Sequence, residues 1–229
     1  MCPGREPALS ACFFVRVPSA AQAGGDRVTV IKDMPHLKGS LHVHTNYSDG
    51  HFSPSRMAEI YRDLGFDFIA VTDHEYLLKP AYKKLFPLKV PGIMVLAGIE
   101  LEPQFLYYHH VLEIMGDTET LYVLCHPDQY RLPIKEVNRR IEIFREKGPA
   151  PLDAVEVTCS GFYTPAYDTP LIALPKVASD DAHDEHSCGK AWIEVECARE
   201  KDAIIRAIRA GDAQIGLLSQ KRRIVGTES

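Results

Sequence analysis

From Lys38 onward, short apolar runs alternate with amphipathic stretches along the chain. "GSLHVH" reads as a strand, and "SPSRMAEIYRDLG" reads as a helix. Ser53 serves as its N-cap, Pro54 as its first residue and Gly65 as its stop. "FDFIAVTDH", "GIMVLAGIELE", "HHVLEIMG" and "TLYVLCHP" read as four further strands. "PIKEVNRRIEIFREKG" is an amphipathic helix that ends at Gly148. Two more strands, "LDAVEVTCS" and "PKVASDDAH", precede a closing helix, "EKDAIIRAIRAG". Short β-branched runs interleaved with helices predict an α/β fold, as a barrel rather than an open sheet. After Gly211 the tail "DAQIGLLSQKRRIVGTES" shows no clear final strand.

Composition narrows the class without naming a function. The 229 residues are 45% hydrophobic and 25% charged, which suits one globular domain with a sizeable core. A formal net charge of −5 with no long Lys or Arg run gives no support for an extended nucleic-acid surface. No apolar run reaches the length of a membrane span. Six cysteines without a CxxC pair suit a reduced, cytoplasmic protein. Near the N-terminus, "ALSACFFVRVPSAAQA" ends in an Ala-x-Ala-like site, as an export signal would. Arg16 interrupts its apolar core and Glu6 sits in its leading region, so residues 1–35 are read as a poorly ordered extension. Residues 36–212 then form the folded domain and 213–229 a tail. There is no repeat, GxGxxG or P-loop.

The polar residues at the strand ends change the picture. His42 and His44 are two apart, so a strand projects both to one face. The second strand ends at Asp73 and His74, and the third carries Glu100 and Glu102. The fourth begins with His109 and His110, the fifth ends at His126, and "SDDAH" brings Asp181 and His183. Seven of the ten histidines fall at such places. In α/β barrels functional groups gather at the carboxyl ends of strands. A buried cluster of this kind is costly alone, and a cation supplies the missing partner. Imidazole and carboxylate without thiolate suit zinc, manganese or iron better than calcium or magnesium. The donors exceed what one tetrahedral ion can use, which implies at least two ions and hydrolytic chemistry.

The succession "HVHTNYSDG", "VTDH", "GIE", "HHVLEI", "CHP" and "SDDAH" resembles the PHP family, named for polymerase and histidinol phosphatase. The resemblance runs from Leu37 to Gly211. It implies a distorted seven-stranded β/α barrel, two to three divalent metal ions and phosphoesterase activity. By the resemblance, His42, His44, Glu100 and Asp181 hold one ion. Glu100 bridges to a second, completed by His110 and His126, while Asp49, His74 and His183 hold a third. Position 49 carries Asp where relatives often carry His. His110 is chosen over His109 because the family places its ligand directly before the "VLEI"-like strand. Only fifteen residues separate His110 from His126, which shortens the barrel there.

The expected reaction is attack on a phosphate ester by metal-bound hydroxide, with Glu100, Asp181 and His183 as the catalytic set. The expected substrate is a small phosphorylated molecule such as a nucleotide or sugar phosphate. Lys176 and Arg131 lie near ligand-bearing segments and are candidates to bind its phosphate. Glu102, Asp73 and Asp180 are candidates to orient the imidazoles. Two other readings remain at this point: an amidohydrolase cleaving C–N or C–O bonds, and a metal-binding regulatory module without turnover. Amidohydrolases usually bridge their metals with a carboxylated lysine on a middle strand, where this chain has Glu100 in "AGIELE".

Overall fold

The computed structural model describes residues 34–218. The export-like segment and the tail beyond Leu218 lie outside the described residues. The first half of the fold comprises β1 (His36–Val43), α1 (Pro54–Asp63), β2 (Phe68–Val71), β3 (Met94–Leu101), β4 (Val111–Met115) and β5 (Thr120–Leu124). The second half comprises α2 (Ile134–Lys147), β6 (Ala154–Glu156), β7 (Thr158–Cys159), β8 (Phe162–Tyr163), β9 (Lys176–Val177), β10 (Ala191–Glu196), α3 (Lys201–Ala210) and β11 (Gln214–Leu217).

Nine strands form one mixed sheet in the order β11-β10-β1-β2-β3-β4-β5-β6-β9. Its edge strands β9 and β11 approach each other, which gives a nearly closed barrel. Strands β1, β2 and β3 are parallel, β4 runs against its neighbours β3 and β5, and β5, β6 and β9 are again parallel. β10 runs against β1 and β11 against β10, so seven strands point their carboxyl ends to one mouth, and β4 and β10 contribute their amino ends there.

The sheet holds nine strands where the resemblance implied seven. One of the additional strands, β10, was absent from the sequence reading, although its alternation is plain. Ala191, Ile193 and Val195 are buried, while Trp192 and Glu194 are half-buried and Glu196 is exposed. The tail also begins with a strand, contrary to expectation: β11 pairs antiparallel with β10 from Gln214 to Leu217. Gly216 weakened that signal, and the main-chain bonds to β10 supply the order that side-chain pattern did not announce.

Alternation along the strands separates two environments. Phe68 and Ala70 of β2 point into the barrel, while Ile69 and Val71 pack outward under α1. Leu121 and Val123 of β5 point inward, while Tyr122 and Leu124 pack under α2. Helix α1 starts as expected: Ser53 Oγ accepts from the Arg56 amide at 3.3 Å, and Pro54 occupies the first turn. Gly65 follows it at φ +80°, a conformation that suits glycine. Helix α3 closes the end opposite the mouth, where Ile204, Ile205 and Ile208 join the inner core. The Asp202 carboxylate there accepts from the amides of Asp117, Thr118 and Glu119 in the β4–β5 turn.

Inside the barrel, Gly39 of β1 faces the Phe68 ring, and a Cβ at position 39 would come within 2.2 Å of ring carbons. Gly39→Ala should therefore destabilise the domain by about 1–3 kcal/mol through overpacking. Adding Phe68→Leu should recover part of that loss. Urea denaturation of the single and double variants reads both effects, and additive losses would contradict the contact.

Candidate metal centre

Strand parity explains which polar residues reach the mouth. On β3, Leu96 faces inward, and with it Gly98 and Glu100. On β4, Leu112 and Ile114 face inward, which places His110 on that side and His109 with outward-packed Val111. On β6, Ala154 faces inward and so does Glu156, while Val155 packs under α2. In β1 the register against β2 shifts between Ser40 and Val43. The bulge inserts one residue, so Leu41 and His42 both face the interior and His44 follows.

Glu100 is the focus of the arrangement. Its Oε1 lies 2.7 Å from His110 Nδ1, 3.2 Å from His42 Nε2 and 3.3 Å from His126 Nε2. Its Oε2 lies 2.9 Å from His74 Nδ1 and 3.3 Å from His44 Nε2. Asp181 Oδ1 stands 3.2 Å from His44 Nε2 and 3.5 Å from His42 Nε2. Asp49 Oδ2 meets His183 Nε2 at 3.2 Å and His74 Nε2 at 3.6 Å, and Asp49 Oδ1 lies 3.5 Å from His44 Nδ1. The structure thus brings all nine residues named by the resemblance to one mouth. A cavity of about 140 Å³ there is lined by His74, Glu100, His110, His126, Gln129, Asp181 and His183.

These contacts do not satisfy the donors and acceptors they join. Both ring nitrogens of His42 and His44 are buried without a hydrogen bond, as are His74 Nδ1, His110 Nδ1, His126 Nδ1 and Glu100 Oε2. Each unsatisfied buried group costs about 1–3 kcal/mol, so this many in one place point to a missing partner. Divalent cations fit: they take lone pairs from neutral imidazoles and charge from carboxylates. Ligand atoms within 4.8 Å of one another form four overlapping groups. One contains Asp49, His74 and His183 together with His44, and another contains His42, His44 and Asp181. Cys125 joins His42, Glu100 and His126 in a third. The fourth is His74, Glu102 and His110.

Electrostatics favour the charged carboxylates. Burial opposes ionisation of Glu100, but the His42 charge, the close approach of His110 and the hydrogen bond from His126 outweigh it and hold its carboxyl well below the usual range. Asp181 is likewise lowered, as His42 and His44 overcome its burial. His109 behaves differently: burial pushes it down to about 3, so it is a neutral imidazole.

The supporting residues differ from expectation. Glu102 does meet an imidazole, His110 Nε2 at 2.6 Å. Asp73 touches none and instead orders the loop that carries Asp49. It accepts from the Thr45 amide at 2.8 Å, the Thr45 hydroxyl at 2.7 Å and the Ser48 hydroxyl at 2.5 Å. Gly50 closes that loop, and a Cβ there would lie 2.6 Å from the His44 main chain. Asp180 accepts from the Tyr61 hydroxyl and the amides of Gly189, Lys190 and Ala191. Lys176 does not reach the mouth. Val177 faces inward, so Lys176 faces outward, and its ammonium donates to the carbonyls of Ile172 and Leu174. Arg131 is exposed and absent from the cavity wall.

Sequence reasoning missed Glu156, which is 1% exposed. Its Oε2 accepts from the His126 amide at 3.0 Å and lies 3.5 Å from His42 Nδ1. A carboxylate between two valines in a buried strand was the available signal.

Residues 40–146 match the model of the PHP domain. Over those residues the chain carries a PHP domain. Its fold is shared by a two-domain protein from Bacteroides vulgatus ATCC 8482, described as containing a predicted PHP-like metal-dependent phosphoesterase. That match has a TM-score of 0.59 at 17% identity, over 87% of this chain and 70% of the other. PsfC from Pseudomonas syringae PB-5123 matches with a TM-score of 0.57 at 15% identity, over 82% of this chain and 93% of its own. In sequence, 71 residues are 35% identical to the Bacillus subtilis (strain 168) DNA polymerase/3'-5' exonuclease PolX. The match spans 28% of this chain and only 12% of that protein's length.

Glu100→Gln should lower the metal content of purified protein, because one carboxylate faces five imidazoles. Glu102→Gln, which faces only His110, should lower it less. Elemental analysis after dialysis compares the two, and a reversed ranking would mean that Glu100 is not the shared group.

Proposed function

We propose that this PHP domain is a hydrolase of phosphate esters that works with two to three divalent metal ions, zinc, manganese or iron. The supporting observation is Glu100, whose two oxygens divide five imidazoles between them while the surrounding nitrogens lack hydrogen bonds. His42, His44, Glu100 and Asp181 hold one ion, and Glu100, His110 and His126 hold a second. Asp49, His74 and His183 hold the third. When bound, such ions neutralise charge on phosphoryl oxygens and activate water for attack.

The chain's own residues set the rest. The barrel walls fix the donors on strands, so little reorganisation is needed when charge develops at phosphorus. The His183 side chain is 34% exposed, against 0% to 13% for the other imidazoles around Glu100 and Asp181. Its exposure marks the side of the site from which an ester would enter. The cavity of about 140 Å³ suits a phosphoryl group, with the remainder of a small ester outside. The Bacteroides neighbour's description as a phosphoesterase and the exonuclease in the name of the Bacillus relative support reaction at phosphorus. Glu100 in place of a middle-strand lysine disfavours the amidohydrolase reading.

The test is a panel of phosphate monoesters and diesters assayed before and after chelation. Chelation should abolish turnover and lower the melting temperature, and manganese or zinc should restore both. Glu100→Gln should reduce turnover by on the order of a hundredfold. Full activity in metal-free protein would remove this reading.

A further inference from the structure

His126 faces the metal centre against the alternation of its own strand. Leu121, Val123 and Cys125 share the inward face of β5, so the next residue is due to point outward. His126 turns inward because its backbone adopts φ 22° and ψ 65°. An L-residue holds such a conformation only where its surroundings over-determine it.

The Cys125–His126 peptide is held at both of its polar atoms. The Cys125 carbonyl accepts from His109 Nε2 at 2.7 Å, and the His126 amide donates to Glu156 Oε2 at 3.0 Å. A carbonyl oxygen only accepts, so the His109 nitrogen that faces it carries a proton and donates. Both partners are immobilised in turn. The His109 ring lies against Tyr130 with centroids 4.2 Å apart, and the Ser179 hydroxyl donates to Glu156 Oε1. Ser179 is itself tied by its amide and carbonyl to the Thr158 hydroxyl.

We infer that His109 and Glu156 are positioning residues that clamp the Cys125–His126 peptide and thereby deliver His126 Nε2 to Glu100. This rests on the metal-centre reading and adds two residues outside the ligand set. It also gives separate tasks to the adjacent histidines: His110 faces the carboxylate, while His109 holds the peptide that aims His126.

Zinc affinity, measured by competition with a chromophoric chelator, tests the clamp. His109→Phe keeps a ring against Tyr130 and removes the donor, and it should weaken zinc binding by about ten- to a hundredfold. His109→Gln, which restores an N–H donor, should recover part of the loss. The deciding comparison is made in the His126→Ala background, where His109→Phe should cause no further loss. Should His109→Phe fail to fold, His109→Asn, whose shorter amide does not reach the carbonyl, carries the same comparison. An undiminished zinc affinity in the position-109 variant would overturn the clamp alone, as would an equal loss with and without His126. A parent protein that takes up no zinc would overturn the metal-centre reading and the clamp with it.

Discussion

Five imidazoles converge on the Glu100 carboxylate, and hydrogen bonding among them leaves most of their nitrogens unserved. A carboxylate offers about four lone-pair directions, fewer than the rings that face it. Protonating the rings to improve the pairing would set like charges side by side, since His42 and His44 have centroids only 5.0 Å apart. Charge on His42 helps keep Glu100 and Asp181 ionised, yet most ring nitrogens of the cluster stay without a hydrogen bond. Cations resolve the conflict, because neutral nitrogens and ionised carboxylates can all direct lone pairs at the same ions. The remainder of the barrel keeps these groups from collapsing into partial solutions.

It does so by departing from regular strand geometry at chosen points. The bulge in β1 makes Leu41 and His42 both inward, joining core to site within two residues. Left-handed backbone at His126 and Asp181 achieves similar redirection on β5 and after β9. Each departure weakens its local strand, and rigidity comes from elsewhere. Asp73 pins the loop of Asp49, and Asp180 gathers three amides of the segment after His183. At the far end, Asp202 ties α3 to the β4–β5 turn.

The same geometry separates what the sequence disclosed from what it hid. Period-two alternation is a local property, so HxH, the inward glutamate of β3 and the helices with their caps were readable. Choosing His110 over His109 agrees with the parity that Leu112 and Ile114 impose. Parity across a longer loop is not local. Lys176 seemed near the mouth because it is close in sequence to Asp181, yet inward Val177 turns it away. Glu156 escaped notice because both faces of β6 are buried, one by the barrel and one by α2. A carboxylate in such a strand shows no alternating partner to reveal its side. The bulge and the backbone of His126 depend on neighbouring strands and the Glu156 and His109 contacts, none of which a linear pattern displays.

The charge at the mouth places a condition on any anionic substrate. Among the described residues the cavity wall consists of four imidazoles, two carboxylates and Gln129, with no Lys or Arg side chain. Glu100 and Asp181 are held ionised by the histidines beside them, so the wall offers an anion imidazoles and not a permanent cation. Many phosphate sites use arginine or lysine as a permanent counter-charge. On the proposed function the permanent counter-charge comes with the ions, which links substrate affinity to ion occupancy. On the proposed reading the clamp on His126 bears on substrate as well as metal: a residue that never meets the ester governs the positive charge that would admit it.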